Sequence, residues 1–258
     1  MSDYPTPNFS IDLTGQVAFV TGTTSGLGKR FATILAACGA KVVLTGRRVD
    51  RLDALAEEIR AAGGDCLPLA LDMVNRESIR AAVDEAEKHY GTITILVNNA
   101  GIPDAQYAVK MSDELVDAVF DTNLRGPWDL SCEVARRMIA AKVPGRMVNI
   151  SSVGGFTYGG NGAALYSVTK SAIVRMTEVL AVEWSRFNIN VNAIAPGAFS
   201  SEMMDGMLER MGDIARMFPR KRIGDPAQLD STLLFLVSPS SDAVTGTCIK
   251  VDDGQGSR

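Results

Sequence analysis

Short apolar runs and longer amphipathic stretches alternate along almost the whole chain. Apolar runs such as Val17–Val20 predict strands buried on both faces, and apolar residues at helical spacing predict helices that cover them. The predicted strands are 17–21, 41–45, 66–70, 93–97, 146–151, 189–194 and 247–251. The predicted helices are 26–38, 50–62, 76–89, 112–141, 164–186 and 226–237, with an irregular helical segment near 201–217. The alternation predicts an α/β fold, a doubly wound parallel sheet of about seven strands with helices on both faces.

One domain accounts for this pattern. The chain has 258 residues, and no sequence repeat, low-complexity tract or linker interrupts the alternation. A domain of this size buries about three quarters of the surface that its unfolded chain exposes. We therefore expect a single domain over 1–258, with a flexible amino-terminal segment over 1–10.

A glycine-rich turn, Thr21–Gly28, lies between the first predicted strand and the first predicted helix. Glycines let a backbone approach a pyrophosphate closely, and the amino end of the helix offers N–H donors and the positive end of its dipole. The spacing Gly-x-x-x-Gly-x-Gly differs from the common Gly-x-Gly-x-x-Gly pattern. A tight connection without a ligand is the alternative, and the surrounding strand–helix–strand unit favours a nucleotide site.

Tyr166 and Lys170 are one helical turn apart, which puts a phenol and an ammonium on the same helix face. A cation about 4 Å from a phenol, at an effective dielectric constant near 20, favours the phenolate by roughly 4 kcal/mol. We therefore expect Lys170 to lower the pKa of Tyr166, which would then exchange a proton with an alcohol at neutral pH.

Six motifs resemble the short-chain dehydrogenase/reductase family in the family's own order. They are Thr21-Gly22-x-x-x-Gly26-x-Gly28, Asn98–Gly101, Asn123, Ser152, Tyr166-x-x-x-Lys170 and Pro196-Gly197. The resemblance covers the chain from about Leu13 to Gly254. It implies a Rossmann-like fold, a nicotinamide cofactor and hydride transfer between a ketone and a secondary alcohol.

The resemblance also implies a catalytic set. Tyr166 is the expected general acid or base, and Lys170 is expected to lower its pKa and to hold the nicotinamide ribose. Ser152 is expected to hydrogen-bond the substrate oxygen, and Asn123 to position a water that links Lys170 to solvent. Ser152 lies one residue further from Tyr166 than is usual in the family, so Ser151 is a rival. The extra residue is expected in the loop over 159–162.

The remaining site assignments follow from the same resemblance. The expected cofactor contacts are Gly22, Thr24, Ser25, Gly26, Leu27, Gly28, Arg47, Arg48, Asp72, Met73, Asn99, Ala100, Gly101, Tyr166, Lys170, Pro196, Gly197 and Ser201.

Cofactor preference is expected to depend on the end of the second strand. An acidic residue there grips the ribose hydroxyls of NAD, whereas arginine accommodates the 2′-phosphate of NADP. This chain has Gly46 at the position of the acid, followed by Arg47. We therefore favour NADP(H), with NAD(H) possible, because such arginines also serve as solvated charges that Asp50 and Asp53 could offset.

The segment over 197–222 is expected to be a movable substrate lid. It contains Met203, Met204, Met207, Met211 and Met217. Methionines fill irregular apolar space, which favours an apolar ketone or alcohol as substrate. The alternative is that the methionines form a stripe facing the core.

Composition and charge narrow the function classes. The net charge is −4, with no basic face for nucleic acid and no polybasic tail for a membrane. The first ten residues have no signal-peptide pattern and no window has the length of a membrane span, so we expect a cytoplasmic protein. The four cysteines are far apart, so we expect reduced thiols and no metal site.

The sequence therefore predicts an NADP(H)-dependent oxidoreductase for apolar ketones and alcohols, expected to be a homotetramer through helices 112–141 and 164–186 as relatives are. Alternatives are a 3-oxoacyl thioester reductase, with Arg216, Arg220, Lys221 and Arg222 recruited for an acyl carrier, and an NAD-dependent alcohol dehydrogenase. A cofactor-binding scaffold with a silent site is a third class, against which the intact Asn, Ser, Tyr and Lys set argues.

Overall fold

The computed structural model describes residues 8–160 and 162–256, and in them seven parallel strands form one sheet. The strands are β1 (Val17–Thr21), β2 (Lys41–Gly46), β3 (Asp65–Ala70), β4 (Ile95–Asn98), β5 (Gly145–Ile150), β6 (Ile189–Pro196) and β7 (Cys248–Val251). The predicted α/β class and the doubly wound parallel sheet are confirmed. Of the segment expected to be flexible, residues 1–7 lie outside the described residues, as does Asn161 in the loop over 159–162.

The strands lie in the order β3-β2-β1-β4-β5-β6-β7. The chain therefore winds outward from β1 in one direction and then from β4 in the other. Because ligands bind at the carboxyl ends of strands where the order reverses, the cleft is expected beyond the ends of β1 and β4.

Eight α-helices lie in the described part of the chain. They are α1 (Gly26–Ala37), α2 (Val49–Ala61), α3 (Arg76–Tyr90), α4 (Asp113–Phe120), α5 (Gly126–Ala141), α6 (Ala164–Trp184), α7 (Glu202–Met211) and α8 (Asp230–Val237). The helix predicted over 226–237 begins as a 3₁₀ turn over Pro226–Leu229, directly before α8.

Strand β1 shows how the sheet is covered. All five of its residues are buried. Ala18 and Val20 belong to an apolar cluster that includes residues of α1, α2 and α8, whereas Val17 and Phe19 belong to a second cluster with residues of α3, α5 and α6. Side chains alternate across a strand, so each cluster is the core on one face of the sheet. This gives a single Rossmann-like domain within the described residues.

The prediction of one regular α-helix over 112–141 is wrong in the middle of that range. Residues Asp121–Arg125 form a π-turn between α4 and α5, and Asn123 lies in it. A π-turn widens the helix by one residue and is frequent at functional sites. Helical spacing in the sequence continues through this point, so apolar periodicity did not indicate the change.

Candidate active site

A cleft of about 920 Å³ lies at the carboxyl ends of the strands. Every residue predicted to contact a cofactor lines it, and so do Ser152, Tyr166 and Lys170. Asn123 does not line the cleft and is 1% exposed. The structure therefore brings the predicted residues together around one cavity, with Asn123 behind its wall.

The glycine turn forms a cradle that side chains would fill. Gly22 and Gly26 have φ of +71° and +54°. A Cβ on Gly28 would lie 2.2 Å from the carbonyl oxygen of Gly22, so only glycine fits there without a backbone shift. Ser25, the N-cap of α1, makes no side-chain cap hydrogen bond. A backbone free of side chains at a helix amino end is a suitable site for a pyrophosphate, so these residues fit a dinucleotide.

Two asparagines at the end of β4 fix this cradle to the sheet. Asn99 donates from Nδ2 to the carbonyl oxygens of Thr21 (2.9 Å) and Gly22 (3.2 Å), and its backbone N–H donates to Thr21 Oγ1 (2.9 Å). Asn98 donates to Ser131 Oγ and Asn149 Oδ1, each at 2.8 Å. These buried hydrogen bonds tie the ends of β1, β4 and β5 together.

The end of β2 offers positive charge and no carboxylate. A Cβ on Gly46 would lie 2.8 Å from Thr24 Cγ2, so the methyl group of Thr24 occupies the space that an acidic side chain would enter. Arg48 donates from Nη2 to Thr24 Oγ1 at 2.7 Å and to Ser25 Oγ at 3.2 Å. Arg47 is exposed and, among the described residues, makes no hydrogen bond or ion pair.

Glu202, the first residue of α7, connects the segment after β6 to this end of the cleft. Its carboxylate accepts hydrogen bonds from Arg48 Nη1 (3.2 Å) and Nη2 (3.0 Å), and it also pairs with Arg51. The hydrogen bonds from the two guanidinium groups lower the pKa of Glu202 to about 2. The side chain of Ser201 packs on Gly26, and its hydroxyl accepts from the N–H of Met204 at 3.2 Å. The segment after β6 thus rests on the glycine turn.

Tyr166 and Lys170 lie on one face of α6, with Lys170 Nζ 5.5 Å from the centre of the phenol ring. Lys170 is 5% exposed and donates from Nζ to the carbonyl oxygen of Ile150 at 2.8 Å. The hydroxyl of Ser152 accepts the backbone N–H of Gly154 at 3.0 Å and interacts with the phenol of Tyr166, whose pKa it lowers. The hydroxyl of Ser151 instead donates to the carbonyl oxygen of Lys170 at 2.8 Å. Of the two serines, Ser152 is the one whose hydroxyl faces the phenol.

The predicted effect of Lys170 on Tyr166 is wrong for this structure. Burial raises the pKa of Tyr166, the hydrogen bond with Ser152 lowers it in part, and the charge of Asp104 raises it further. Burial also lowers the pKa of Lys170 to about 8. The ammonium points to a backbone carbonyl behind the ring, so desolvation outweighs attraction between the two side chains.

Asn123 acts on the backbone of the loop after β4. Its Oδ1 accepts the N–H of Ile102 at 2.8 Å, and its Nδ2 donates to the carbonyl oxygen of Ile102 at 2.9 Å. A Cβ on Gly101 would lie 3.3 Å from Asn123 Oδ1 and 3.5 Å from Lys170 Nζ. The π-turn therefore brings Asn123 close to the path between Lys170 and the cleft.

The wall of the cleft beyond Tyr166 is largely apolar. Its apolar lining residues include Ile102, Pro103, Val153, Phe199, Met203, Met204, Met207, Ile214 and Phe218. No residue of α7 is buried, so its methionines do not form a stripe in the core. Met211 and Met217 do not line the cleft, and Met217 is 73% exposed.

The described residues contain neither a candidate membrane span nor a cluster of three metal-ligating side chains. No helix there is long and apolar enough to cross a membrane. In residues 8–160 and 162–256 no group of three His, Cys, Asp or Glu side chains could hold a metal ion.

Comparison with known proteins decides the family. The sequence model of the short chain dehydrogenases matches residues 16–211. The chain belongs to the short-chain dehydrogenase/reductase family. It is 36% identical over 243 residues to 3-oxoacyl-[acyl-carrier-protein] reductase of Thermotoga maritima, covering 94% of this chain and 98% of that protein. It is also 36% identical over 248 residues to 2-dehydro-3-deoxy-D-gluconate 5-dehydrogenase of Dickeya dadantii, covering 95% and 97%.

A solved structure gives the same result. A variant of actinorhodin polyketide ketoreductase with NADPH superposes with a TM-score of 0.90 at 32% identity, covering 94% of this chain and 98% of that chain. As a short-chain dehydrogenase/reductase, the protein is an NAD(P)-dependent oxidoreductase. The named relatives act on different substrates, so family membership leaves the substrate open.

Four residues of this short-chain dehydrogenase/reductase have roles that the sequence reasoning missed. Asp104 lies beside Tyr166, Glu202 bridges two arginines, and Tyr158 lines the cleft. Gln255 also lines the cleft and accepts the N–H of Ala198 through Oε1 at 2.7 Å. Asp104, Glu202 and Gln255 act across long stretches of sequence, and no local pattern indicates such contacts.

Proposed function

We propose that this enzyme interconverts an uncharged, apolar ketone and the corresponding secondary alcohol, with a preference for NADP(H) over NAD(H). The observation that carries the proposal is the position of Tyr166, which lines the same cleft as Ser152 with Lys170 Nζ 5.5 Å from its ring centre, between an apolar wall and the glycine cradle. A proton donor at this junction can serve a substrate oxygen on one side and a cofactor on the other.

The proposed mechanism assigns each side chain one task. A bound nicotinamide cofactor supplies hydride to the substrate carbon in reduction and accepts it in oxidation. Tyr166 gives its phenolic proton to the carbonyl oxygen, while the hydroxyl of Ser152 donates a hydrogen bond to that oxygen. Lys170 would hold the ribose of the cofactor, and Asn123 would position a water that links Lys170 to solvent, so that a proton can return to Tyr166. The raised pKa of Tyr166 keeps the phenol protonated at neutral pH, which is the form that reduction needs.

Two features near β2 support NADP(H). Gly46 leaves no carboxylate to bind the ribose hydroxyls, and the space is filled by Thr24. Arg47 is exposed on the cleft without an ion-pair partner among the described residues, so its guanidinium is available to a 2′-phosphate. The similarity to a ketoreductase solved with NADPH agrees with this preference.

The charges around the cleft support an uncharged substrate. The charged residues that line the described cleft are Arg47, Arg48, Asp72, Lys170 and Glu202. The first three belong to the ends of β2 and β3, Glu202 is paired with two arginines, and Lys170 is buried under the phenol. A substrate carboxylate would therefore lie on an apolar wall without a cation, which is costly.

A 3-oxoacyl thioester reductase is the second candidate, favoured by the similarity to the Thermotoga maritima reductase. Two carboxylates balance half of the positive charge of the four basic residues that could dock an acyl carrier. Arg220 and Arg222 both pair with Asp253, at 3.2 and 2.6 Å, and Arg216 pairs with Asp213 at 2.8 Å. These pairs make an acyl-carrier protein the less favoured substrate.

Assembly and location complete the proposal. We propose a homotetramer through α4, α5 and α6, because these helices leave apolar side chains exposed: Phe120, Trp128, Val168, Val179 and Val182. Light scattering should give four times the mass of one chain.

We propose a cytoplasmic location, since all four cysteines are free thiols, as is usual in a reducing compartment. Fractionation of cells that produce the protein tests this location.

A panel of ketones and alcohols assayed with both cofactors tests the function. We expect apolar ketones to be reduced, with kcat/KM for NADPH at least about tenfold above that for NADH, equivalent to about 1.4 kcal/mol. A clear preference for NADH would make an NAD-dependent alcohol dehydrogenase the better assignment. Activity confined to acyl-carrier thioesters would establish the second candidate.

Replacement of the phenol tests the assigned acid. Tyr166→Phe should lower kcat by at least about 100-fold, because the proton donor is lost in the transition state. NADPH affinity should stay within about threefold. The matched control is Tyr158→Phe, which removes the hydroxyl of an exposed tyrosine lining the same cleft and should leave kcat within about fivefold. A Tyr166→Phe variant with more than a tenth of the wild-type activity would contradict the assignment.

A further inference from the structure

Helix α6, which carries Tyr166, begins without a cap of its own. The N-cap residue is Ala163, with φ −135° and ψ 36°, and it makes no side-chain cap hydrogen bond. The first N–H groups of a helix have no partner within the helix, so they need an acceptor from elsewhere. Serine, threonine, aspartate and asparagine normally provide it from the N-cap position, and alanine has no acceptor.

Asp104 provides the missing acceptor from the loop after β4. Its Oδ2 accepts the backbone N–H of Tyr166 at 2.9 Å, across 62 positions of sequence. Tyr166 is the third residue of α6, and its N–H is one to which an N-cap side chain usually binds. The cap of this helix is therefore a tertiary contact, made at the residue that bears the phenol.

The surroundings of Asp104 show a rigid carboxylate. The residue is 3% exposed, and its Oδ1 accepts the N–H of Ala105 at 2.7 Å. Ala105 has φ +50°, a left-handed conformation that is uncommon for alanine. Asp104 makes no ion pair with any described residue. Its negative charge is therefore held by backbone N–H groups and the positive end of the α6 dipole.

We infer that Asp104 is a positioning residue for Tyr166, one that fixes the catalytic turn of α6 on the cofactor-side loop and holds a negative charge at the backbone of the residue that carries the phenol. The loop that carries Asp104 also contains Ile102 and Pro103, which line the cleft. Asp104 therefore fixes the phenol relative to the cleft wall. The inference rests on the proposed role of Tyr166 as the proton donor.

The charge of Asp104 affects the pKa of the Tyr166 phenol. The groups that face it are Lys170 from α6, Ser152 from the end of β5 and Asp104 from the loop after β4. Asp104 acts with burial to raise the pKa of Tyr166, and Ser152 opposes it. Lys170 donates to Ile150 and contributes little. Asp104 therefore helps to keep the phenol in the proton-donating form.

Titration of the phenol in the full-length protein without ligands tests the inference. Tyrosine labelled with ¹³C at Cζ reports phenolate formation by NMR, and the signal missing in Tyr166→Phe identifies residue 166. In Asp104→Asn the one amide oxygen can still accept the N–H of Tyr166, but the charge is gone and the amide nitrogen cannot accept the N–H of Ala105. At pH 10 we expect at least a threefold larger phenolate fraction in Asp104→Asn than in wild type, because one pKa unit corresponds to a tenfold ratio.

A matched control shows whether the loss of a helix cap alone changes the titration of Tyr166. Asn75 caps α3 by accepting the N–H groups of Glu77 (2.8 Å) and Ser78 (3.1 Å), on a helix that carries none of the catalytic set. Asn75→Ala should lower Tm without changing the titration of Tyr166. In the reductase assay, Asp104→Asn should move the alkaline limb of the kcat profile to lower pH.

An unchanged phenolate fraction in Asp104→Asn, or an equal change in Asn75→Ala, would overturn the inference. Should Asp104→Asn fail to fold, Asp104→Ser provides a small neutral acceptor, and the same comparison is made with it. Asp104→Glu restores the charge and should return the phenolate fraction toward that of wild type. The titration needs no substrate, so a failure of the proposed function would appear separately, as activity retained by Tyr166→Phe.

Discussion

The glycine turn after β1 and the segment over 197–222 after β6 form facing walls of one cleft, yet they are held in different ways. The turn is shaped by backbone contacts, since a Cβ on Gly28 would lie 2.2 Å from a carbonyl oxygen. The segment after β6 is anchored at its start by the buried Phe199 and by backbone hydrogen bonds, whereas its helix α7 is held by half-exposed side chains, chiefly Glu202 on Arg48 and Arg51. Its Gly206 would meet nothing within 4 Å if a Cβ were added. Backbone sterics suit a constant cofactor, and exchangeable side-chain contacts suit a variable substrate.

Replacement of glycine by alanine should weaken cofactor binding in one wall and stabilise a helix in the other. Gly28→Ala should weaken binding of either cofactor by more than about 100-fold, because the turn must shift by more than its packing allows. Gly206→Ala, in the exposed middle of α7, should stabilise that helix by about 1 kcal/mol. Calorimetric titration and thermal unfolding measure both variants. Equal cofactor affinity in Gly28→Ala and wild type would show that the cradle is not set by sterics.

Hydrogen exchange should separate the walls by mobility. We propose that 197–222 is a lid, so its amides should exchange faster than those of β1 and β4 in the free enzyme. A cofactor and a bulky ketone at 100 times their Kd should slow its exchange by up to about 100-fold, if opening requires release of the ligand. Equal protection of the segment and the central strands before ligand is added would contradict a lid.

The end of β2, like the glycine turn, should affect binding of the cofactor. Arg47→Ala should raise KM for NADPH about tenfold, because a charge-assisted hydrogen bond to the 2′-phosphate is lost. Gly46→Asp should turn the preference toward NADH only together with Thr24→Ser, which removes the methyl group 2.8 Å from the new Cβ and keeps the hydroxyl. Steady-state kinetics of the single and double variants check this. A full switch by Gly46→Asp alone would show that the methyl group is no obstacle.

Glu202 should give the smallest effect, because exposed ion pairs contribute less than about 1 kcal/mol. Glu202→Gln should free Arg48 and Arg51 and tighten binding of 2′-phospho-AMP about threefold, with little change for AMP. The control is Glu209→Gln, on the same helix and without a described ion pair. Acidification should mimic the substitution only as pH falls toward 2, because the pKa of Glu202 is lowered to about 2. An equal increase in affinity for 2′-phospho-AMP and AMP would argue that Glu202 does not compete with the 2′-phosphate for Arg48 and Arg51.

The features that the sequence predicted are those encoded locally. The strand alternation and the glycine turn each depend on neighbouring residues, and the structure has seven parallel strands, as expected, in its described part. Tyr166 and Lys170 share a helix face because they are one turn apart. The choice of Ser152 over Ser151 followed from resemblance, and the structure supplies a reason, since Ser151 is bonded to the backbone of Lys170.

What the sequence did not predict depends on contacts between distant segments. The π-turn at Asn123 replaces a regular helix without any break in apolar spacing. Asp104 belongs to none of the motifs in the sequence, and only the fold places it at the start of α6. The pKa of Tyr166 was predicted from the nearest charge in sequence, but burial by the whole site decides its direction. Local patterns specify elements, and desolvation is a property of their assembly.

If the enzyme has the proposed preference for NADP(H), the methyl group of Thr24 beside Gly46 sets the order of substitutions by which that preference could change. An acid at position 46 is obstructed while that methyl group is present, whereas Thr24→Ser leaves the hydroxyl that Arg48 binds. A lineage moving toward NAD would therefore pass through a nearly silent change at position 24 before the decisive one at position 46. Descendants that still carry threonine at position 24 should not accept an acidic residue at position 46. The residue at position 24 therefore indicates which descendants can change their cofactor preference.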